Sequence, residues 1–271
     1  MNIRKLKFLS GNALKIIACI TMAIDHIGFM FFPYDLIYRK IGRIAFPIFA
    51  FLLAEGCKYT KNKLKHFLTL FALTIICQVG YYLFAGDTYL CILVTLCLSQ
   101  LCIFSLQYFK KSLLNHDAKL YKKLLSACLF VGAIAFTAVF CRLFTVEYGF
   151  WGCMLPVFVS LFEFRNAFPA PTSTIDEKKP SVTNEKKAQI RAFIQNLDNS
   201  LTQYLCFALG LILSVLSSKT GLPQEYALFS LIPIAFYSGK RGKLNLKYFF
   251  YLFYPLHLVA IEGAYILLYF L

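Results

Sequence analysis

The sequence predicts an all-α, polytopic transmembrane helix bundle of about nine spans with its N-terminus in the cytoplasm. Three observations carry this. Of 271 residues 59% are apolar, more than a single water-soluble core of this size uses. The formal net charge is nevertheless +15, and so high an apolar content beside it excludes a disordered chain. Apolar runs close to the ~20 residues that cross a bilayer recur from one end of the chain to the other. With that many spans there is no room for a sizeable soluble domain, so residues 1–271 read as one integral-membrane domain in a lipid bilayer.

The first run, 14–32, follows the basic start Arg4, Lys5 and Lys7. It contains Asp25 and His26 and no small-residue cleavage site, so it reads as a retained span and not a removed signal peptide. Further spans are expected at 41–57, 67–85, 89–109, 124–141, 145–164, 201–217, 225–238 and 248–271. The sixth opens with Glu147 and Gly149, and the eighth is short. Of 28 Lys and Arg residues, 22 fall at 4–7, 58–65, 110–123, 165–191 and 240–247, in alternate connecting segments. The other connections hold only Arg39, Lys40, Arg142 and Lys219, while Lys15 and Arg43 lie within the first two spans. This is the positive-inside pattern of an odd number of spans with the N-terminus inside.

The long polar stretch 165–200 mixes Pro169, Pro171 and Pro180 with Ser, Thr, Glu and Lys, which suits a flexible cytoplasmic loop. Its charge and that of the other basic loops is explained by topology, and aromatics are not interleaved with it, so no nucleic-acid partner is expected. The ten cysteines sit in or beside apolar runs without a C-x-x-C pair or zinc-ligand spacing. They read as small buried hydrophobes, with no metal site.

Ionisable groups inside a membrane cost about 2.5–3.5 kcal/mol each on insertion scales, so each calls for a reason. Asp25 and His26 lie near the middle of the first span and His257 well inside the last. Arg43 and Glu55 lie near opposite ends of the second, and Glu262 toward the outer part of the ninth. One reading of Asp25 and His26 is a polar pair fastening the bundle through interhelical hydrogen bonds. The other is a chemical site. Neighbouring residues point about 100° apart on a helix, so Asp25 must reach His26 from the flank or pair with Arg43. Lys15 lies 11 residues before His26, which puts both on one face about 16 Å apart along the axis. That separation is comparable to an extended pantetheine arm. It suits coenzyme A phosphates at Lys15 on the inner surface and a thioester reaching His26.

The run from Lys15 to Gly28, with its Ala23-Ile24-Asp25-His26-Ile27-Gly28 core, resembles the opening of the TraX family. Ile41-Gly42-Arg43-Ile44-Ala45-Phe46-Pro47 through Glu55-Gly56 is similar to its second block. Weaker agreement continues at Glu147-Tyr148-Gly149 and at 237–242, and it returns at Tyr254-Pro255-Leu256-His257-Leu258. The chain departs from the family's usual pattern at 91–96, at Glu147 and in the inserted loop 165–200. The resemblance implies a polytopic membrane acetyltransferase of the kind that acetylates pilin N-termini, with acetyl-CoA as co-substrate. It also implies kinship with wider transmembrane acyltransferases through a Lys/Arg-x10-His pattern, here Lys15 and His26.

On that reading His26 is the general base or a transient acetyl carrier, and Asp25 fixes its tautomer. Arg43 stabilises the developing oxyanion or orients Asp25, and Lys15, Lys58 and Lys61 hold the coenzyme A phosphates. His257 and Glu55 serve as proton relay or acceptor-binding groups. The acceptor stays open between a pilin-like peptide N-terminus and a hydroxyl of an envelope glycan. The alternative is a proton-coupled transporter or flippase using Asp25 and His257. It calls for inverted repeats, and the sequence has no such symmetry.

Overall fold

The computed structural model of the protein describes residues 7–85, 89–115, 118–164, 198–218 and 223–270. Among them the fold is all-helical. Its helices are α1 (Gly11–Phe31), α2 (Leu36–Gly42), α3 (Ala45–Tyr59), α4 (Lys63–Ala85) and α5 (Ile92–Leu114). After these come α6 (Leu120–Leu143), α7 (Gly149–Ser160) and α8 (Ser200–Ser217). The chain then forms a 3-10 helix (Gln224–Ser230) and ends in α9 (Leu231–Ala235) and α10 (Lys247–Phe270). Six of these, α1, α4, α5, α6, α8 and α10, are long and apolar enough to cross a membrane.

The second, sixth and eighth expected spans do not form single long helices, and local chemistry explains each. Pro47 has no N–H, and its ring crowds the carbonyl of Arg43 four residues earlier, so the helix breaks between α2 and α3. Tyr148 adopts a left-handed backbone, φ 62°, so α7 starts only at Gly149 and runs 12 residues. Pro233 removes the N–H that would bond Phe229, and the eighth segment is a 3-10 helix followed by a short α9. Elsewhere the ends follow their signals. Ser10 caps α1 by accepting the Ala13 N–H, and Asp35 caps α2 through the Ile37 N–H.

Helices α3, α5, α7 and α8 build the interior, where Ile48, Ile103, Leu155 and Phe207 are wholly covered. In contrast α4, α6 and α10 turn apolar side chains such as Leu68, Leu129, Val139 and Leu252 outward. Outward apolar residues at that density are what lipid, unlike water, leaves uncosted. All ten cysteines are free, seven of them buried, which matches their reading as packed hydrophobes.

Chain segments meet at two places. In one, Leu9 N–H donates to the Phe236 carbonyl, Lys7 Nζ donates to Ser200 Oγ at 2.7 Å, and Gly11 and Asn12 donate to the carbonyls of Lys240 and Arg241. Gly242, at φ 105°, is pressed against Ser10 and Asn12, so a side chain there would be both strained and crowded. In the other, Leu90 bridges Val146, and Lys40 lies over the Tyr226 ring. The expected loop 165–200 lies outside the described residues except at its end. There Asp198 accepts the Phe164 N–H at 3.1 Å and Asn199 caps α8.

Candidate active site

The first wall of the site is the α1–α2 hairpin. Glycine makes it possible: a Cβ on Gly28 would sit 2.1 Å from Tyr38, and one on Gly42 would sit 2.2 Å from Asp25 Oδ1. Two turns of α2 therefore lie directly on the C-terminal half of α1. Arg39 and Arg43, four residues apart, face the same way. Arg39 Nη1 donates to Asp25 Oδ2 at 2.7 Å. Arg43 is 5% exposed, and its Nε and Nη2 have no hydrogen-bond partner. Its charge acts on both Asp25 and Glu147.

The second wall is α10, which packs along α1. His26 Nδ1 lies 2.9 Å from His257 Nε2, although 231 residues separate them in the chain. His257 Nδ1 lies 2.8 Å from the Phe253 carbonyl. A carbonyl only accepts, so His257 Nδ1 carries a proton and donates it there. With both rings neutral, His257 Nε2 is then a lone pair that accepts from His26 Nδ1–H, and His26 Nε2 is left bare. The ring of His257 is further fixed by stacking on Phe253 at 4.8 Å. One backbone carbonyl thus sets the tautomers of both imidazoles.

The third wall is the turn before α7. Glu147 is held through its backbone: its N–H donates to Leu90, and its carbonyl accepts Thr95 Oγ1 at 2.5 Å. Its carboxylate lies near the Ile92 N–H at the start of α5, where a negative charge is favoured. Tyr148 is stacked on Phe46 at 3.9 Å and backed by Gly152, whose missing Cβ would sit 2.4 Å from it. A left-handed tyrosine needs this much support, and such positions gather at functional sites.

These walls enclose a small cavity lined by Asp25, His26, Phe46, Glu147, Tyr148 and Tyr254 among others. Its space is about 20 Å³ for the centre of a water molecule, enough for a water between the polar groups. Asp25, Glu147, Arg39 and Arg43 together balance in formal charge. The bare His26 nitrogen is thus set in a neutral polar frame.

Of the residues singled out from the sequence, Asp25, His26, Arg43 and His257 come together. Asp25 pairs with Arg39, where His26 or Arg43 was the expected partner, and the partner of His26 Nδ1 is His257. Lys15 lies on the α1 face toward α10, its Nζ 5.1 Å from the Phe250 ring, and it feels the charge of Arg241. Lys15 and His26 therefore both face α10, as their spacing predicts. Glu55 is buried but does not line the cavity: Tyr237 Oη donates to it at 3.2 Å and Lys58 lies 3.9 Å away. Lys61 is exposed. Sequence reasoning missed Arg39, Glu147 and Tyr254 as site residues. The four-residue spacing of Arg39 and Arg43 was the available signal for the first.

An all-helical membrane protein with a polar cavity built from its first, second and last helices is the class these features define. The chain belongs to the TraX family: the model of that family, described as TraX protein, matches residues 10–174. The match holds α1, α2 and the Glu147 turn and stops before α10. The chain is also 25% identical over 269 residues to a protein of Dichelobacter nodosus named "Probable fimbrial assembly protein FimC, serogroup H1". That similarity covers 94% of this chain and 95% of the relative. No solved structure matches.

Proposed function

We propose that this chain is an acetyltransferase of the cytoplasmic membrane, moving an acetyl group from cytoplasmic acetyl-CoA to an acceptor at the membrane or its outer face. The acceptor is an amine, such as the N-terminus of a pilin-like peptide, or a hydroxyl. Membership of the TraX family and a relative named for fimbrial assembly support a pilin-related role. The observation that carries the chemistry is the histidine pair, because its hydrogen bonds leave Nε2 without a proton on His26, a residue that lines the cavity. As the acceptor attacks the thioester carbonyl, His26 Nε2 takes its proton, and the new charge is shared through Nδ1–H with His257. The unpartnered Nε and Nη2 of Arg43 supply donors for the developing oxyanion.

Coenzyme A enters from the side where Lys15 and Arg241 lie together, and the arm follows the seam between α1 and α10. The cavity is water-sized, so a thioester enters only as the seam parts. The reading of nine passes with a cytoplasmic N-terminus is supported by the two sets of chain contacts. Chain at the expected inner side (Lys7, Leu9, Ser200 and 236–241, the inner end of the eighth span with the connection after it) is in contact, and so are the expected outer ends of spans (Leu90 with Val146, Tyr226 with Lys40).

The test is to incubate the purified full chain with acetyl-labelled acetyl-CoA and membrane fractions and identify what acquires the label. Label on a peptide amine or a glycan hydroxyl is expected and decides between the acceptors. Absence of any acetylated product, with the protein folded, contradicts the reading.

A further inference from the structure

The geometry points to Glu147 as a second proton acceptor in the cavity, the group that binds an acceptor ammonium and deprotonates it before His26 acts. This inference rests on the acetyltransferase reading. It also favours an amine over a hydroxyl as acceptor. A hydroxyl enters neutral and loses one proton in acyl transfer, for which His26 suffices. An amine enters as ammonium and loses two, one to become a nucleophile and one after attack. The cavity wall presents two bases, one from each side: His26 from α1 and Glu147 from the turn before α7.

Glu147 is built for position. Its backbone is tied at both N–H and carbonyl, to Leu90 and Thr95, and the next residue is held in a left-handed conformation by a stacked phenylalanine. The titratable and charged groups around its carboxylate are Arg43, Asp25, Arg39, Tyr148, Tyr89, Cys91 and Tyr254. Asp25 is already engaged by Arg39, which leaves Glu147 as the cavity carboxylate without a direct ion pair among the described residues.

The step balances. The Glu147 carboxylate takes one proton from R–NH3⁺, giving R–NH2 and a carboxylic acid. The amine nitrogen bonds to the acetyl carbonyl carbon of the thioester, and His26 Nε2 takes the second N–H proton. The C–S bond breaks, and the departing thiolate receives that proton from His26 as a thiol. Glu147 then releases its proton to water.

The test uses the full chain in detergent with acetyl-CoA and a short alanine-led peptide bearing a free α-amino group. Its counterpart carries a hydroxyl in place of the amine. Glu147→Gln is expected to cut transfer to the amine at pH 7. The variant-to-wild-type ratio should recover by about sevenfold at pH 9, where an α-amine of pKa roughly 7.7–8.0 is already neutral. Transfer to the hydroxyl peptide should fall less than transfer to the amine at pH 7, and its variant-to-wild-type ratio should not recover between pH 7 and pH 9. Glu147→Asp, which keeps the carboxylate, should retain most of the amine rate at pH 7. A Glu147→Gln ratio that does not change between pH 7 and pH 9, or a Glu147→Asp loss as deep as that of Glu147→Gln, overturns the assignment of Glu147 alone. No transfer by the wild type to either peptide, nor to membrane fractions, overturns the acetyltransferase reading and this inference with it.

Discussion

Helices α5 and α10 are nearly the same length and both long and apolar enough to span a membrane, yet they sit at opposite extremes of burial. In α5, 67% of the most apolar window is buried, against α3, α4, α6 and α7. In α10 almost none is, His257 being the exception, and its main neighbours are α1 and α4. The buried helix gives the site Ile92 in the cavity wall and the brace of Thr95. The exposed helix carries His257 and Tyr254. The polar chemistry therefore lies at a seam between a close-packed interior and a lightly attached outer helix. Such a seam can open to a substrate without disturbing the core, because tightly packed interiors resist deformation and peripheral elements do not.

If this division is right, substitutions on the two sides should fail in different ways. Beside the seam, Arg43→Ala removes the free guanidinium donors and should lower turnover about 10²–10³-fold. Steady-state acetyl transfer measures this, and unchanged turnover would take Arg43 out of the site. In the interior, Ile103→Ala leaves a cavity at a wholly covered position and should cost about 2–5 kcal/mol of stability. Its turnover per folded molecule should stay near wild type, so unfolding and activity assays together separate core from seam. The smallest effect is expected at the Lys15 end of the seam. Lys15→Ala should weaken acetyl-CoA binding several-fold, an effect of the size of one exposed charged contact, and leave turnover at saturation little changed. Calorimetric titration with acetyl-CoA reads this, and an unaltered affinity would exclude Lys15 from coenzyme binding.

What could be read in advance follows the same line. Apolar runs of bilayer length foretold the six long helices, and proline chemistry explains why Pro47 and Pro233 interrupt two expected spans. The 11-residue spacing of Lys15 and His26 placed both on one helix face, because helical periodicity acts within a helix. The partner of that face could not be read the same way: His26 and His257 meet across 231 residues, and periodicity says nothing of which helices are neighbours. Arg39 was hidden by a different cause. It was counted as a connecting-loop cation, and only the folding of α2 back onto α1 over Gly28 and Gly42 brings it to Asp25. Glu147 was visible as a polar residue at the start of a weak span, but its role depends on a strained turn that composition does not encode.

The most direct measurement of the central claim is the rate of acetyl transfer by His26→Ala beside the wild type, in the same membranes and at saturating acetyl-CoA. Loss of the bare Nε2 should lower the rate by about 10²–10⁴-fold while the variant still inserts and binds acetyl-CoA. Transfer at the wild-type rate by His26→Ala would contradict a base at the α1–α10 seam.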